Sequence, residues 1–166
     1  MKISLDNIDA FIFDFDGVMT DNFVYINQNG EETVRCSRAD GLAFNVLHKL
    51  KKPSYIISTE KNPVVKKRAM KLKTEVIQGS NDKEKAVREL CSKNNYQLEN
   101  LLYVGNDLND YNVMKICGYA ICPADSHSKI KKISDIKLKS NGGYGIVRDL
   151  LEDVLNLNVN KILYEL

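Results

Sequence analysis

The sequence predicts a three-layer α/β protein with a mostly parallel, Rossmann-like sheet between two layers of helices. Three observations carry that reading. Short apolar runs recur at Ala10–Phe13, Tyr55–Ile57, Leu101–Val104 and Tyr119–Cys122, with the length and residue types of strands buried on both faces. Between them, apolar residues fall three and four apart, the spacing of helices with one buried stripe. Strands alternating with helices call for parallel pairing through crossovers.

The elements follow in order. A first strand, residues 10–14, ends in Asp14. Phe23 to Ile26 and Glu31 to Cys36 flank Asn27-Gln28-Asn29-Gly30, and β-formers on both sides of an Asn-Gly turn predict a hairpin. Residues 40–51 are helical, with Leu42, Val46, Leu47 and Leu50 on one face. Tyr55-Ile56-Ile57 is a strand ending at Ser58. Pro63 opens a helix to about Leu72. Glu75-Val76-Ile77 is a strand, residues 82–94 an amphipathic helix, and 101–104 a strand ending at Gly105. A short helix over 110–116, a strand over 119–122, a helix near 126–132 and a weak strand near 135–138 follow. Gly142-Gly143 leads into a last helix, 144–156, and a short tail.

The chain has 166 residues, 43% of them hydrophobic and 28% charged, which is ordinary globular composition for one domain over 1–166. The hairpin, about 22–36, is the single break in the alternation and is too short to be a cap domain. A net charge of +2 implies no polyanion partner. The Lys-rich stretches at 49–52, 66–68 and 129–132 read as solvated helix faces, and no aromatic interleaving points to nucleic acid. Cys36, Cys91, Cys117 and Cys122 match no zinc or redox spacing and read as reduced thiols. The segment from Met1 to Asp6 lacks an apolar signal core, and no stretch nears bilayer length. A cytoplasmic protein without a membrane partner is expected.

Phe13-Asp14-Phe15-Asp16-Gly17 is the most informative segment. It delivers two acids to the carboxyl end of a buried strand, where open α/β sheets bind ligands. Burying two acids there is costly unless a cation or a reaction needs them. Parallel pairing brings Asp14, Asp16, Ser58, Lys83 and the run Asn106, Asp107, Asp110 to one rim. Carboxylates suit a hard cation such as Mg²⁺. A hydroxyl and an ammonium suit phosphate oxygens. One Asp can attack phosphorus and a second can carry the proton.

In these motifs the sequence resembles the haloacid dehalogenase-like phosphatases. Asp14-Phe15-Asp16-Gly17-Val18 matches their first motif, Ser58 the second, Lys83 the third and Gly105-Asn106-Asp107-Leu108-Asn109-Asp110 the fourth. The resemblance implies Asp14 as nucleophile, Asp16 as general acid and base, and Ser58 and Lys83 on the phosphoryl group. It implies Mg²⁺ held by Asp14, Asp16 through its main chain, and the fourth motif (Asn106, Asp107, Asp110). Asn106 departs from the usual Asp and brings no charge.

Finer features are similar to the capless subfamily acting on 3-deoxy-2-keto sugar acid phosphates. These are Val18-Met19-Thr20-Asp21, Asn29-Gly30-Glu31-Glu32, Arg38-Ala39-Asp40-Gly41, Gln78-Gly79, and Gly142-Gly143 with Arg148. That subfamily includes 3-deoxy-manno-octulosonate 8-phosphate phosphatases and nonulosonate (KDN, N-acetylneuraminate) 9-phosphate phosphatases. The C-terminal module of vertebrate CMP-sialic acid synthetases is also similar. Its members are tetramers whose hairpins pack together, so a homotetramer is implied. Thr59-Glu60-Lys61, and Tyr144 in place of an Arg, resemble the nonulosonate type, implying Glu60, Arg68 and Lys71, with Gly17, around the sugar acid. Arg38 reads as a substrate ligand or a partner of Asp40, His48 as a surface residue and His127 as a helix cap. A second reading is a weakened oligomerisation module partnering a CMP-sugar acid cytidylyltransferase, with Asn106 as its support. A phosphorylated receiver domain, the third, is disfavoured by the Asp-Phe-Asp run and the hairpin.

Overall fold

A computed structural model describes residues 3–165. Met1, Lys2 and Leu166, on which part of the reading of the termini falls, lie outside the described residues. Strands β1 (Ala10–Phe13), β4 (Ser54–Ser58), β5 (Glu75–Gln78), β6 (Leu101–Val104), β7 (Tyr119–Cys122) and β8 (Ile136–Lys137) form one sheet, with β2 (Tyr25–Ile26) and β3 (Glu32–Thr33) as a separate hairpin. The six-strand order is β5-β4-β1-β6-β7-β8, and every neighbouring pair is parallel. Helices α1 (Arg38–Lys49), α2 (Val64–Leu72), α3 (Lys83–Asn94), α4 (Tyr111–Ile116), α5 (Ser128–Ile133), α6 (Ile146–Asp149) and α7 (Val159–Tyr164) complete the fold. The expected three layers are present, with no cap among the described residues.

Alternation along β1 builds both halves of the core. Phe11 and Phe13 pack with Phe44 and Leu47 of α1 and Val65 and Ala69 of α2. Ala10 and Ile12 face the other way, onto Val87 and Leu90 of α3 and Met114 of α4. The Phe13 and Phe44 rings meet edge to face at 5.5 Å. Each fully buried aromatic contributes about 2–3 kcal/mol. β1 is therefore clamped at the sheet centre, and its carboxyl end is a rigid place for a reactive group.

Helix α1 begins two residues before expectation, because Ser37 caps it by accepting the Ala39 N–H at 3.2 Å. The hairpin strands are shorter than predicted, pairing only Tyr25 with Thr33 and Ile26 with Glu32. The last helix is not continuous. Gly145 turns left-handed (φ +94°), α6 runs four residues, and a π turn over Leu150–Val154 follows. The tail folds back as α7, where Lys49 Nζ donates to the Leu163 carbonyl at 2.7 Å. No helix among the described residues is long and apolar enough to cross a membrane. All four cysteines are free thiols.

Candidate active site

β1, β4 and β6 end at one rim, and the site is assembled there. Asp14 follows β1 directly, its N–H held by the Val104 carbonyl at 2.9 Å. Ser58 is the last residue of β4. Asp82 caps α3, accepting the Lys85 N–H at 2.9 Å, so Lys83 opens that helix against the sheet. Lys83 Nζ lies 2.7 Å from Asp14 Oδ1 and 2.7 Å from Asp110 Oδ1. The three residues are 3%, 3% and 0% exposed. One ammonium between two buried carboxylates leaves one net negative charge, an arrangement that costs desolvation and makes sense at a site for a cation or a developing charge. The Tyr103 hydroxyl, also fully buried, donates to Asp110 Oδ1 at 2.9 Å.

The loop after β1 is shaped around this cluster. Gly17 takes φ +78°, and a Cβ there would run into the Asn106 side-chain amide. Only glycine serves both demands. Buried Thr20 accepts the N–H groups of Gly17 and Asn22 on Oγ1, each at 3.2 Å. Gly142 and Gly143 then lie on the backbone of residues 17–21, where any Cβ would strike main chain. The Gly143 N–H donates to the Val18 carbonyl at 3.0 Å. This explains the glycine pair.

Two cavities meet at Asp16 and Asn22. One, of about 310 Å³, is lined by Asp14, Asp16, Asn106, Asp107 and their neighbours. The other, of about 150 Å³, lies between Asp16, the hairpin residues Phe23, Val24 and Glu32, and Glu60 and Asn62. Burial, then the charge of Asp110, raises the Asp14 carboxyl, while Lys83 and the Phe15 N–H pull it back. Burial raises Asp16 too, with Glu60 adding to the rise and Lys83 and Thr20 opposing it. Burial alone would lower Lys83, but Asp14 and Asp110 raise it, so the ammonium stays charged.

The first cavity fits a divalent cation. Asn106 is 6% exposed, and its Oδ1 has no hydrogen-bond partner. A buried amide oxygen left unpaired beside a carboxylate is what a hard cation would satisfy. Among the described residues no three His, Cys, Asp or Glu side chains converge as a metal cage. The donors on hand are thus the Asp14 carboxylate, main-chain carbonyl oxygen and the Asn106 amide.

The sequence profile of the haloacid dehalogenase-like hydrolases matches residues 42–150. The 3-deoxy-D-manno-octulosonate 8-phosphate phosphatase KdsC of Escherichia coli strain K12 is 32% identical over 151 residues, 90% of this chain and 80% of that protein. The chain belongs to the haloacid dehalogenase-like hydrolases. A HAD-family protein from Streptomyces avermitilis superposes with a TM-score of 0.93 at 34% identity, over 97% of this chain and 92% of that one. The Moraxella catarrhalis 3-deoxy-D-manno-octulosonate 8-phosphate phosphatase, solved with magnesium, phosphate and KDO, gives 0.86 at 30% identity, over 93% and 89%.

Within this haloacid dehalogenase-like site, Asp14, Asp16, Lys83, Asn106 and Asp107 converge as expected. Ser58, 1% exposed, accepts the Glu60 N–H at 3.1 Å at the end of β4. Asp110 departs from the expected metal role. Its Oδ1 takes Lys83 and Tyr103, and its Oδ2 takes the N–H groups of Asn106 and Asp107 at 2.9 and 3.4 Å, which fills its acceptor positions. It is a strut behind the site. Gly17, expected against substrate, spends its N–H on Thr20 and makes room for Asn106. Arg68 lines neither cavity; it donates to the Ser37 carbonyl at 2.8 Å, and Lys71 is exposed on α2. Glu60 lines the second cavity, although Oε1 folds back onto the N–H groups of Lys61 and Asn62.

Arg38 is exposed, and Asp40 turns from it to accept the Val147 N–H at 2.9 Å. His127 caps α5 as expected, accepting the Lys129 N–H at 3.2 Å. His48, read as a surface residue, has a buried and unpaired Nε2. The sequence reading assigned no individual role to Tyr103, Thr20 or Asn22. Tyr103 offered a hydroxyl inside an otherwise apolar strand, whereas Thr20 and Asn22 lie in the loop seven and nine residues beyond β1.

Proposed function

We propose that this enzyme, a phosphoric monoester hydrolase, removes phosphate from a 3-deoxy-2-keto sugar acid phosphate in a Mg²⁺-dependent reaction. A nonulosonate 9-phosphate is favoured and octulosonate 8-phosphate comes next. The observation that carries the chemistry is Lys83 held between Asp14 and Asp110 at the strand rim, beside the unpaired Asn106 Oδ1. The sugar acid rests on relatives named for octulosonate 8-phosphate. The nine-carbon preference rests on Thr59-Glu60-Lys61 and Tyr144, with Glu60 on the wall of the second cavity.

Asp14, the main-chain carbonyl of Asp16 and Asn106 Oδ1 would hold the cation, which when bound draws in the phosphoryl group and offsets its charge. Asp14 attacks phosphorus, the ester P–O bond breaks, and Asp16 gives its proton to the leaving alkoxide. Burial, with the charge of Glu60, raises Asp16, the direction that favours its holding the proton it donates. Asp16 then takes a proton from the water that attacks phosphorus of the aspartyl-phosphate, which releases inorganic phosphate and restores Asp14. Ser58 and Lys83 hold the phosphoryl oxygens and stabilise their growing charge.

A homotetramer accompanies this reading, supported by Phe23, Val24, Tyr25 and Ile26, which are 53–70% exposed in a row on the hairpin. Asn106 is the observation that favours the weakened oligomerisation module instead. One assay separates the two. Phosphate release with Mg²⁺ is measured from nonulosonate 9-phosphates, octulosonate 8-phosphate and simple sugar phosphates, with Asp14→Asn alongside. Release that prefers one sugar acid and vanishes in the variant supports the phosphatase. No release from a folded, oligomeric protein supports the module.

A further inference from the structure

We infer that Arg35 is a positioning residue, which clamps the returning strand of the hairpin onto Asp21 and Tyr144 and so sets the wall of the second cavity, beside Asp16, for the sugar acid. The inference rests on the substrate reading proposed above. Arg35 Nε lies 2.9 Å from Asp21 Oδ2, on a side chain only 9% exposed, and the guanidinium stands 4.7 Å from the centre of the Tyr144 ring. A planar guanidinium can do both at once, pairing at its edge and stacking on its face. Both partners are fixed to the body of the domain. Tyr144 rides on a turn in which the Gly142 N–H donates to Asp125 Oδ1 and the Gly143 N–H to the Val18 carbonyl, each at 3.0 Å. Gly143 in turn lies against the main chain of Thr20 and Asp21.

The hairpin has few other polar holds. Among the described residues no other side chain of 22–36 forms an ion pair. Glu32 Oε2 accepts from Asn62 Nδ2 at 3.4 Å, a long and exposed contact. Val34 and Cys36 pack on the core at the foot of the stem, so the fold itself does not need the clamp. Strand alternation turns Arg35 to one side and Val34 and Glu32 to the other, where they line the second cavity with Asp16 and Glu60. Holding Arg35 therefore holds the wall that faces Asp16. An exposed ion pair adds little stability. Its effect here is geometric, because a displaced wall weakens a substrate that must lie against it and leaves a shorter one untouched.

The test is steady-state phosphate release with Mg²⁺ by the intact protein. The substrates are octulosonate 8-phosphate, a nonulosonate 9-phosphate and acetyl phosphate, whose leaving group is too short to reach the hairpin. The parent is compared with Arg35→Met, Arg35→Lys, Tyr144→Leu and the Arg35→Met/Tyr144→Leu double variant. Arg35→Met should raise KM for the better sugar acid about fivefold, from loss of one cation–π contact and one ion pair. Its kcat, acetyl phosphate turnover and melting temperature should match the parent. Arg35→Lys should recover most of the loss, because an ammonium still pairs with Asp21. The double variant should be no worse than Arg35→Met, since Tyr144 acts through Arg35. A parent-like KM in Arg35→Met, or an equal loss on acetyl phosphate, overturns the clamp and leaves the phosphatase reading intact. Losses that multiply in the double variant overturn it as well. A parent that hydrolyses acetyl phosphate but neither sugar acid overturns the substrate reading and this role of Arg35 with it. A folded parent that releases no phosphate overturns the phosphatase reading and everything that rests on it.

Discussion

Lys83→Met removes the ammonium and keeps most of the side-chain length. The cost follows from what is left behind. Asp14 and Asp110 are 3% and 0% exposed, and each loses a cation 2.7 Å away. Breaking a buried pair in this way costs about 3–5 kcal/mol, a large part of the roughly 5–15 kcal/mol of a typical domain. The pH dependence has a definite sign. Burial and Asp110 already raise Asp14, and without Lys83 the folded state holds that proton more tightly still. The deficit of the variant relative to the parent is therefore smallest at low pH and grows as pH rises through the raised folded pKa. Urea unfolding without metal should show a full deficit at pH 8 and a clearly smaller one at pH 5. Asp14→Asn in the same chain should restore part of the loss at pH 8, since one buried charge is gone. A deficit below about 1 kcal/mol, or one equal at both pH values, would refute the reasoning and mean that the two carboxylates are solvated or already share a proton.

Two further predictions follow from the same bookkeeping of burial. Asp40 is 0% exposed, and burial raises it from 3.8 to about 6; the folded state binds its proton better, so its charge costs about 3 kcal/mol by pH 8. Asp40→Asn keeps the acceptor for the Val147 N–H and should unfold at higher urea than the parent at pH 8, with no advantage at pH 4; a loss at pH 8 would show that Arg68 and Arg148 more than compensate the burial. Gly17→Ala forces a side chain onto a φ of +78° and into the Asn106 amide, so it should cost about 1–3 kcal/mol and lose most phosphate release, read by thermal melts and the release assay.

The middle of the sheet was legible because its strands are buried on both faces. Ala10–Phe13 and Leu101–Val104 are uninterrupted apolar runs, and a buried parallel strand cannot be otherwise. Boundaries set by side-chain caps were harder. Ser37 moves the start of α1 through one hydrogen bond to Ala39, a contact without periodicity. The break in the last helix depends on Gly145 at φ +94° and on a π turn. Gly145 lies beside Ser37 and Ala39 at the start of α1, more than a hundred residues away in sequence.

The site divides by the same criterion. Asp14, Ser58 and Lys83 were legible because each sits where a strand ends or a helix begins, and topology alone brings such positions together. Asp110 was not, because a carboxylate four residues after Asn106 can equally face a cation or turn inward to an ammonium. The choice was made by Tyr103, whose buried hydroxyl needs an acceptor and finds Asp110 Oδ1 at 2.9 Å. With Asp110 anchored there, its second oxygen gathers the Asn106 and Asp107 N–H groups and bends the loop so that both side chains line the cavity. The buried Tyr103–Asp110–Lys83 chain thus orients the groups at the front, and the charge available to a cation is decided by which carboxylate that chain consumes.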